Sequence, residues 1–261
     1  MEGLIKLKDD EQLDCLLNGR QIIQNKKAFM FGIDAVLLSD FAASSIKKND
    51  KVIDLGTGTG IIPLLLDTLS PAKSISALEI QEESADMAKR SVLLNGLEEK
   101  ITIVQGDLKK VSSYFEKHSF SVVTCNPPYM NDSHGIQNKS EPKNIARHEI
   151  FCNLENVISA AAYLLAPHGR FFMIHRPYRL PEIFSLLLKY NMQPKLMQLV
   201  LPSAGKEANM VMLEARKNAQ ARLKIAPDLC VRTKEGEYTA EVNAIYKRQS
   251  SREFLKSFPE A

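Results

Sequence analysis

From Lys51 onward, short runs of β-branched and apolar residues alternate with stretches of helical periodicity, and this alternation restricts the chain more than any other feature. Strand-like runs fall at Lys51–Leu55, Ser74–Ile80, Ile101–Gly106, Ser121–Cys125 and Arg170–His175, with helix-like segments at Ile61–Ser70, Glu82–Asn95, Asn153–Ala166 and Arg179–Tyr190. Parallel neighbours need a crossover, which is usually a helix, so the pattern predicts βαβ units and a parallel sheet. The helix over 82–95 sets Ala85, Ala88, Val92 and Leu93 on one face and stops at Asn95-Gly96. Two later runs, Lys195–Leu201 and Met210–Ala215, flank a glycine-containing loop and predict an antiparallel hairpin. The expected fold is α/β, a mostly parallel sheet with helices on both faces and one hairpin at its end.

Composition agrees with one large domain. The chain has 261 residues, 44% apolar and 25% charged, with 12 Gly and 12 Pro, which excludes a disordered or collagen-like polypeptide. A single domain is expected over 1–248, with a cover segment at 1–48 holding one strand-like stretch and one helix, and a loose tail at 249–261. No apolar run approaches the roughly 20 residues that span a bilayer. The N-terminus has no secretory pattern, so a cytoplasmic location is expected. Cys15, Cys125, Cys152 and Cys230 lie far apart without a CxxC pair, which predicts reduced core thiols and no metal site. A net charge of +3 does not by itself announce a polyanionic partner.

The strongest local pattern is VIDLGTGTGI, Val52 to Ile61, an apolar strand running through three alternate glycines into a helix. Without Cβ atoms, Gly56, Gly58 and Gly60 let the backbone turn sharply and press against a ligand. Asp54 is placed to accept hydrogen bonds from a ligand's amino group. Glu79, about 20 residues on, can take both hydroxyls of a ribose. Dinucleotide sites use G-x-G-x-x-G, whereas here the spacing is G-x-G-x-G and Ile61 occupies the dinucleotide glycine's place. S-adenosylmethionine, which has no pyrophosphate to seat on a helix N-terminus, fits better. The plainer reading is a turn serving only a tight βα connection; the two acids argue against it. Asp107 reads both as an adenine contact and as a helix N-cap, and the two are compatible.

Asn126-Pro127-Pro128-Tyr129 follows the fourth apolar strand directly. Consecutive prolines stop the ladder and hold an extended backbone at the sheet's C-terminal edge, where ligands of open α/β sheets bind. An exocyclic amine is a poor nucleophile because its lone pair is conjugated. With the Asn126 side-chain oxygen and the Pro127 carbonyl each accepting one N–H, the nitrogen can rehybridise and aim its lone pair at a methyl group. Tyr129 offers a ring on which an extruded base stacks. Alone, the tetrapeptide would read as a turn with a capping Asn.

These motifs resemble the class I S-adenosylmethionine-dependent N-methyltransferases with an NPPY motif, whose seven-stranded Rossmann-like sheet carries one antiparallel strand. FGIDAVLL, DLGTGTG, NPPY, the ARHE segment at Ala146–Glu149 and the closing TAEVNAIY together most resemble the bacterial family that makes N6-methyladenosine at position 37 of a valine tRNA. The resemblance implies catalytic roles for Asn126, Pro127, Pro128 and Tyr129. It implies cofactor contacts from Phe31, Asp34, Asp54, Gly56, Gly58, Gly60, Glu79, Ile80, Asp107, Leu108 and Asn126. It implies RNA contacts from Tyr129, Lys143, Arg147, His148 and Arg176, with tRNA the partner and no obligate protein partner. Asp34 is also expected to cap a cover helix built on Ile33, Val36, Leu37 and Phe41. Arg170, His175, Arg176 and Arg179 around one strand end, with Lys247, Arg248, Arg252 and Lys256, are candidates for a basic rim. A release-factor glutamine methyltransferase is the alternative, disfavoured because only about 50 residues precede the first strand. A catalytically silent scaffold is the other.

Overall fold

The computed structural model describes residues 5–17, 19–27, 32–127 and 153–249. An antiparallel pair, β1 (Glu11–Cys15) and β2 (Gln21–Asn25), precedes helix α1 (Ile33–Ala43). Then come β3 (Lys51–Leu55), α2 (Ile61–Leu69), β4 (Ser74–Glu79), α3 (Glu82–Leu94), β5 (Ile101–Gln105), a 3₁₀ turn (Leu108–Ser113) and β6 (Phe120–Cys125). After the segment that is not described lie α4 (Leu154–Leu164), β7 (Leu165–His175), α5 (Leu180–Lys189), β8 (Met192–Ser203), β9 (Met210–Lys217), β10 (Lys224–Ile225), β11 (Leu229–Arg232) and α6 (Ala240–Gln249).

The large sheet runs β10-β8-β9-β7-β6-β3-β4-β5, with β11 sharing the outer edge of β8. Only β9 runs against its neighbours, β7 and β8. The expected seven strands are therefore present, and β10 and β11 extend the sheet to nine. Both extensions are short, two and four residues, too brief for a periodic signal.

Alternation along each strand builds two cores. One joins α1, α2, α3 and α6 to Val52, Ile75, Val122, Phe172 and Met212; the other joins α4 and α5 to Ile53, Leu55, Val123, Phe171 and Leu213. Helix α1 is buried almost all round, and Phe41 at its end meets Phe172 edge-on at 6.0 Å. Among the described residues no helix is long and apolar enough to cross a membrane.

Several expectations change. The cover segment holds a hairpin rather than one strand. It docks on α3, where the Ile23 N–H donates to Ser91 Oγ (2.9 Å) and the Asn95 side chain exchanges hydrogen bonds with the Gln21 backbone (2.9 and 2.7 Å). Asn95 is thus both the helix stop and a clamp. On α3, Leu93 is 53% exposed, while Met87 and Ser91 complete the buried face with Ala85, Ala88 and Val92. Cys125 is buried, but Cys15 is exposed and Cys230 half-buried; Cys152 lies outside the described residues.

The basic rim breaks up as well. Arg170 sits at the other end of the parallel run from His175, buried, donating to Asp50 and to the Ser45 carbonyl. Arg179 pairs with Glu182 at 2.7 Å, and Arg248 holds Asp40 of α1 through two 2.8 Å hydrogen bonds. Local sequence shows cations but not the acids that tertiary structure brings to them. Arg252 and Lys256 are outside the described residues.

Candidate active site

The C-terminal ends of β3, β4, β5 and β6 converge where the strand order reverses on either side of β3, the crevice that binds ligands in open α/β sheets. Gly56, Gly58 and Gly60 hold φ of 71°, 57° and 89°, a region costly to residues with a Cβ. The Gly56 and Thr57 amides both donate to the Leu78 carbonyl (2.8 and 3.2 Å), tying the turn to β4. A Cβ on Gly56 or Gly58 would meet nothing within 4 Å, whereas one on Gly60 would press on Ala88 of α3 at 3.2 Å. The first two glycines therefore face open space that a ligand can use, and the third is required for packing.

Glu79 is nearly buried, and its oxygens accept from the Gly58 N–H (2.8 Å) and the Gln81 N–H (2.9 Å). It is a brace for the turn as well as an acid beside it. Each carboxylate oxygen keeps a second lone pair for a ribose hydroxyl. Asp107 caps the 3₁₀ turn by accepting from the Lys109 N–H at 2.9 Å, so its N-cap role is real. Next to it, the Tyr114 ring packs over Gly106, so a Cβ there would have to displace the end of that half-exposed side chain. Ile80 and Leu108 are half-buried beside these two acids.

Asp54 lies deepest, 1% exposed, with Thr124 Oγ1 donating to its Oδ1 at 2.7 Å. Its other oxygen and the Thr57 hydroxyl are buried side by side, near enough for the hydroxyl to favour the carboxylate but without a well-formed hydrogen bond. Burial pushes the carboxyl up to about 7; the Thr124 and Thr57 hydroxyls oppose the rise, and the charge on Glu79 adds to it. An unsatisfied buried oxygen costs about 1–3 kcal/mol, a cost that a ligand bringing N–H donors removes. Orphaned acceptors beneath an open glycine turn fit the amino-acid end of S-adenosylmethionine.

Across the crevice, Asn126 Nδ2 donates to Asp34 Oδ2 at 3.1 Å. Asp34 is not the cap of α1. Gly32 holds that position, and Asp34 lies inside the first turn with Oδ1 accepting from the Ala35 N–H at 3.0 Å. A Cβ on Gly32 would lie 2.7 Å from that oxygen, which explains the glycine. Because Asp34 has only acceptors to offer when ionised, it dictates which end of the Asn126 amide is nitrogen and which is oxygen. Pro127 is buried beside it.

His175 ends β7 two residues past Met173, the partner of Cys125. Burial holds it down at about 4, and its Nδ1 accepts from the Arg176 N–H (2.8 Å), leaving the proton of the neutral ring on Nε2. The Arg176 guanidinium donates to the Asn209 carbonyl at 2.9 Å, so it braces the β8–β9 hairpin. Phe31, Pro128, Tyr129, Lys143, Arg147 and His148, and the segment 130–150, lie outside the described residues. Sequence reasoning missed Thr124 and Thr57, and took Asp34 for a cap and cofactor contact only. The available signal was a lone Thr inside an apolar strand at the register of Asp54. Among the described residues no three acids, histidines or cysteines cluster as a metal site.

Comparison with known proteins identifies the family. The family model described as "Methyltransferase small domain" matches residues 32–186. A tRNA1(Val) (adenine(37)-N6)-methyltransferase of Photobacterium profundum is 28% identical over 217 residues, covering 81% of this chain and 87% of the relative. One of the same name from Phocaeicola vulgatus is 25% identical, covering 87% of this chain and 92% of its own. Among solved structures, a protein described as a predicted O-methyltransferase from Agrobacterium tumefaciens superposes with a TM-score of 0.65 at 21% identity, over 84% of this chain and 97% of that one, a likeness of fold. With a family model covering more than half of its length, the chain belongs to the methyltransferase small-domain family and is a methyltransferase that draws its methyl group from S-adenosylmethionine.

Proposed function

We propose that this enzyme methylates the exocyclic N6 amine of an adenine in tRNA, at position 37 of a valine tRNA. The observation that carries the reading is the Asp34–Asn126 hydrogen bond, which commits the amide nitrogen to the protein and so presents the amide oxygen as an acceptor at the end of β6. The relatives named for that reaction, aligned over most of the chain, support the choice of acceptor.

When bound, S-adenosylmethionine supplies an electrophilic methyl carbon on a sulfonium. Asp54, Thr57 and the Gly56–Gly60 turn hold its amino-acid end, and Glu79 and Asp107 its nucleoside end. Asn126 Oδ1 and the Pro127 carbonyl would accept the two amine hydrogens and so localise the nitrogen lone pair; the new N–C bond would form as the methyl–sulfur bond breaks, its electron pair staying on sulfur in S-adenosylhomocysteine, and one amine proton would leave to solvent. Tyr129 stacks on the adenine, worth roughly 1–3 kcal/mol, once the base leaves the anticodon-loop stack.

Incubation with tritiated S-adenosylmethionine and either total tRNA or release factor, followed by nucleoside analysis, tests the reading. N6-methyladenosine in a valine tRNA is expected. Label on release-factor glutamine, or on another nucleoside, contradicts it.

A further inference from the structure

The outer margin of the large sheet carries a concave basic site that methyl transfer leaves unused. A cavity of about 430 Å³ is lined by Lys195, Leu196, Glu214, Arg216, Arg222 and Lys224. Four cations against one carboxylate give the lining three positive charges, equal to the formal +3 of the whole chain, so all other residues together balance. This cluster is separate from the basic residues near β7 and on the tail that the sequence offered as a rim.

The site is built rather than incidental. Pro194 pairs with Ala215 and Leu196 with Glu214, so Lys195 is the extra residue of a β-bulge in β8. Neighbours in a regular strand point to opposite faces, yet Lys195 and Leu196 both line the cavity, which the bulge makes possible. Glu214 is 4% exposed and accepts from Arg216 Nε at 2.6 Å, fixing the guanidinium by one edge. Lys195 Nζ donates to the Gln220 carbonyl at 3.0 Å, drawing in the segment that carries Arg222 and Lys224. Those two are exposed and have no acidic partner among the described residues.

Register locates the site relative to the reacting centre. Asp54, Thr124, Phe172, Glu214, Leu196 and Lys224 form one row across β3, β6, β7, β9, β8 and β10. Three to five strand spacings of about 4.8 Å put the lining roughly 14–24 Å from Asp54, from Glu214 on β9 out to Lys224 on β10. A mononucleotide in the crevice does not reach so far, but the stem of a folded RNA does, and its phosphates match the positive charge of the lining. Like charges on adjacent strands repel, and a bound polyanion relieves that repulsion. We propose that this cavity holds phosphodiester groups of the RNA, with Arg216 and Arg222 as forked donors and Lys195 and Lys224 as point charges. The proposal rests on the RNA reading above.

Its test is the double charge reversal Arg222→Glu with Lys224→Glu, set against Lys47→Glu with Lys48→Glu, an exposed pair in the loop before β3. The margin pair is expected to raise KM for a tRNA transcript roughly tenfold at ~0.15 M salt and to make the log–log salt dependence shallower by about two, one per lost phosphate contact. Turnover at saturating tRNA and calorimetric affinity for S-adenosylmethionine stay at wild-type values, which also reports that the variant is folded; the control pair stays near wild type in all of these. Unchanged KM and salt slope in the margin pair, or an equal loss in the control pair, overturns the site while wild-type tRNA methylation upholds the RNA reading. Wild-type protein that binds the cofactor but methylates no tRNA overturns both.

Discussion

The two ends of the large sheet use polar groups in opposite ways. At β3, β4 and β6 they are buried: Asp54, Thr57, Glu79 and Thr124 are nearly out of reach of water, and the turn they support is tied down by backbone amides. At the β8–β9–β10 margin cations gather at the surface around a single buried carboxylate, and their positions depend on a bulge and a return strand. The proposed cofactor end is a cradle of buried groups with fixed partners. The margin is a charge distribution, suited to a large ligand whose contacts are many and individually weak.

The largest effect expected from breaking this contrast is at Asp54. Asp54→Ala should abolish binding of S-adenosylmethionine by calorimetry while leaving RNA retention on a filter nearly unchanged; loss of both would show that the two ends are not separable. The carboxyl also gives a signed pH dependence. Its value in the fold is raised from 3.8 to about 7, so its stabilising contribution is complete below pH 4 and is lost as pH rises through 7. Without cofactor, Asp54→Asn should therefore be more stable to urea than wild type at pH 8, by on the order of 2–4 kcal/mol, with the gap closing near pH 4. Cofactor affinity of the wild type should climb between pH 5.5 and 7.5 as the carboxylate forms, and that of Asp54→Asn should not.

Next in size is Asp34. Asp34→Ala releases the Asn126 amide to turn over, and kcat should fall about ten- to hundredfold with cofactor affinity within a factor of a few. Asp34→Asn, which can still accept from Nδ2, should recover part of the rate. A parallel loss of cofactor affinity and rate would return Asp34 to a cofactor contact alone.

How much of this was legible follows from where the information is held. The βαβ alternation and the glycine turn are local patterns, and the helices and strands they predict are found within three residues of the expected bounds, except that β7 begins five residues early, at Leu165. Asp34 contacting Asn126, Thr124 contacting Asp54 and Asp50 contacting Arg170 span 92, 70 and 120 residues of chain, so no window of sequence displays them. Leu93 was misplaced because a period of 3.6 leaves one flank of a helical face ambiguous, and the docking of β2 on Ser91 decided it.

Arg170 sharpens the same contrast with the smallest effect on activity. Read locally, it belonged to an RNA rim; in the fold it is a buried partner of Asp50. Arg170→Ala should lower stability by about 3 kcal/mol, measured by urea denaturation, because Asp50 loses its charged partner and keeps only hydrogen bonds from the Lys47 amide and Ser121. Its KM for tRNA at 20 °C should stay within about twofold of wild type, the size of a change at a side chain outside the interface. A large KM increase in a folded Arg170→Ala enzyme would restore that residue to the RNA surface.

The central claim is that Asn126 acts chiefly on the reacting amine, its implied cofactor contact being secondary. Single-turnover methyl transfer to tRNA by Asn126→Ala, with the enzyme saturated in S-adenosylmethionine, measures it most directly. A rate lower by about a thousandfold at unchanged cofactor affinity is predicted. A rate near wild type, or a loss of rate accounted for by lost cofactor binding, would contradict it.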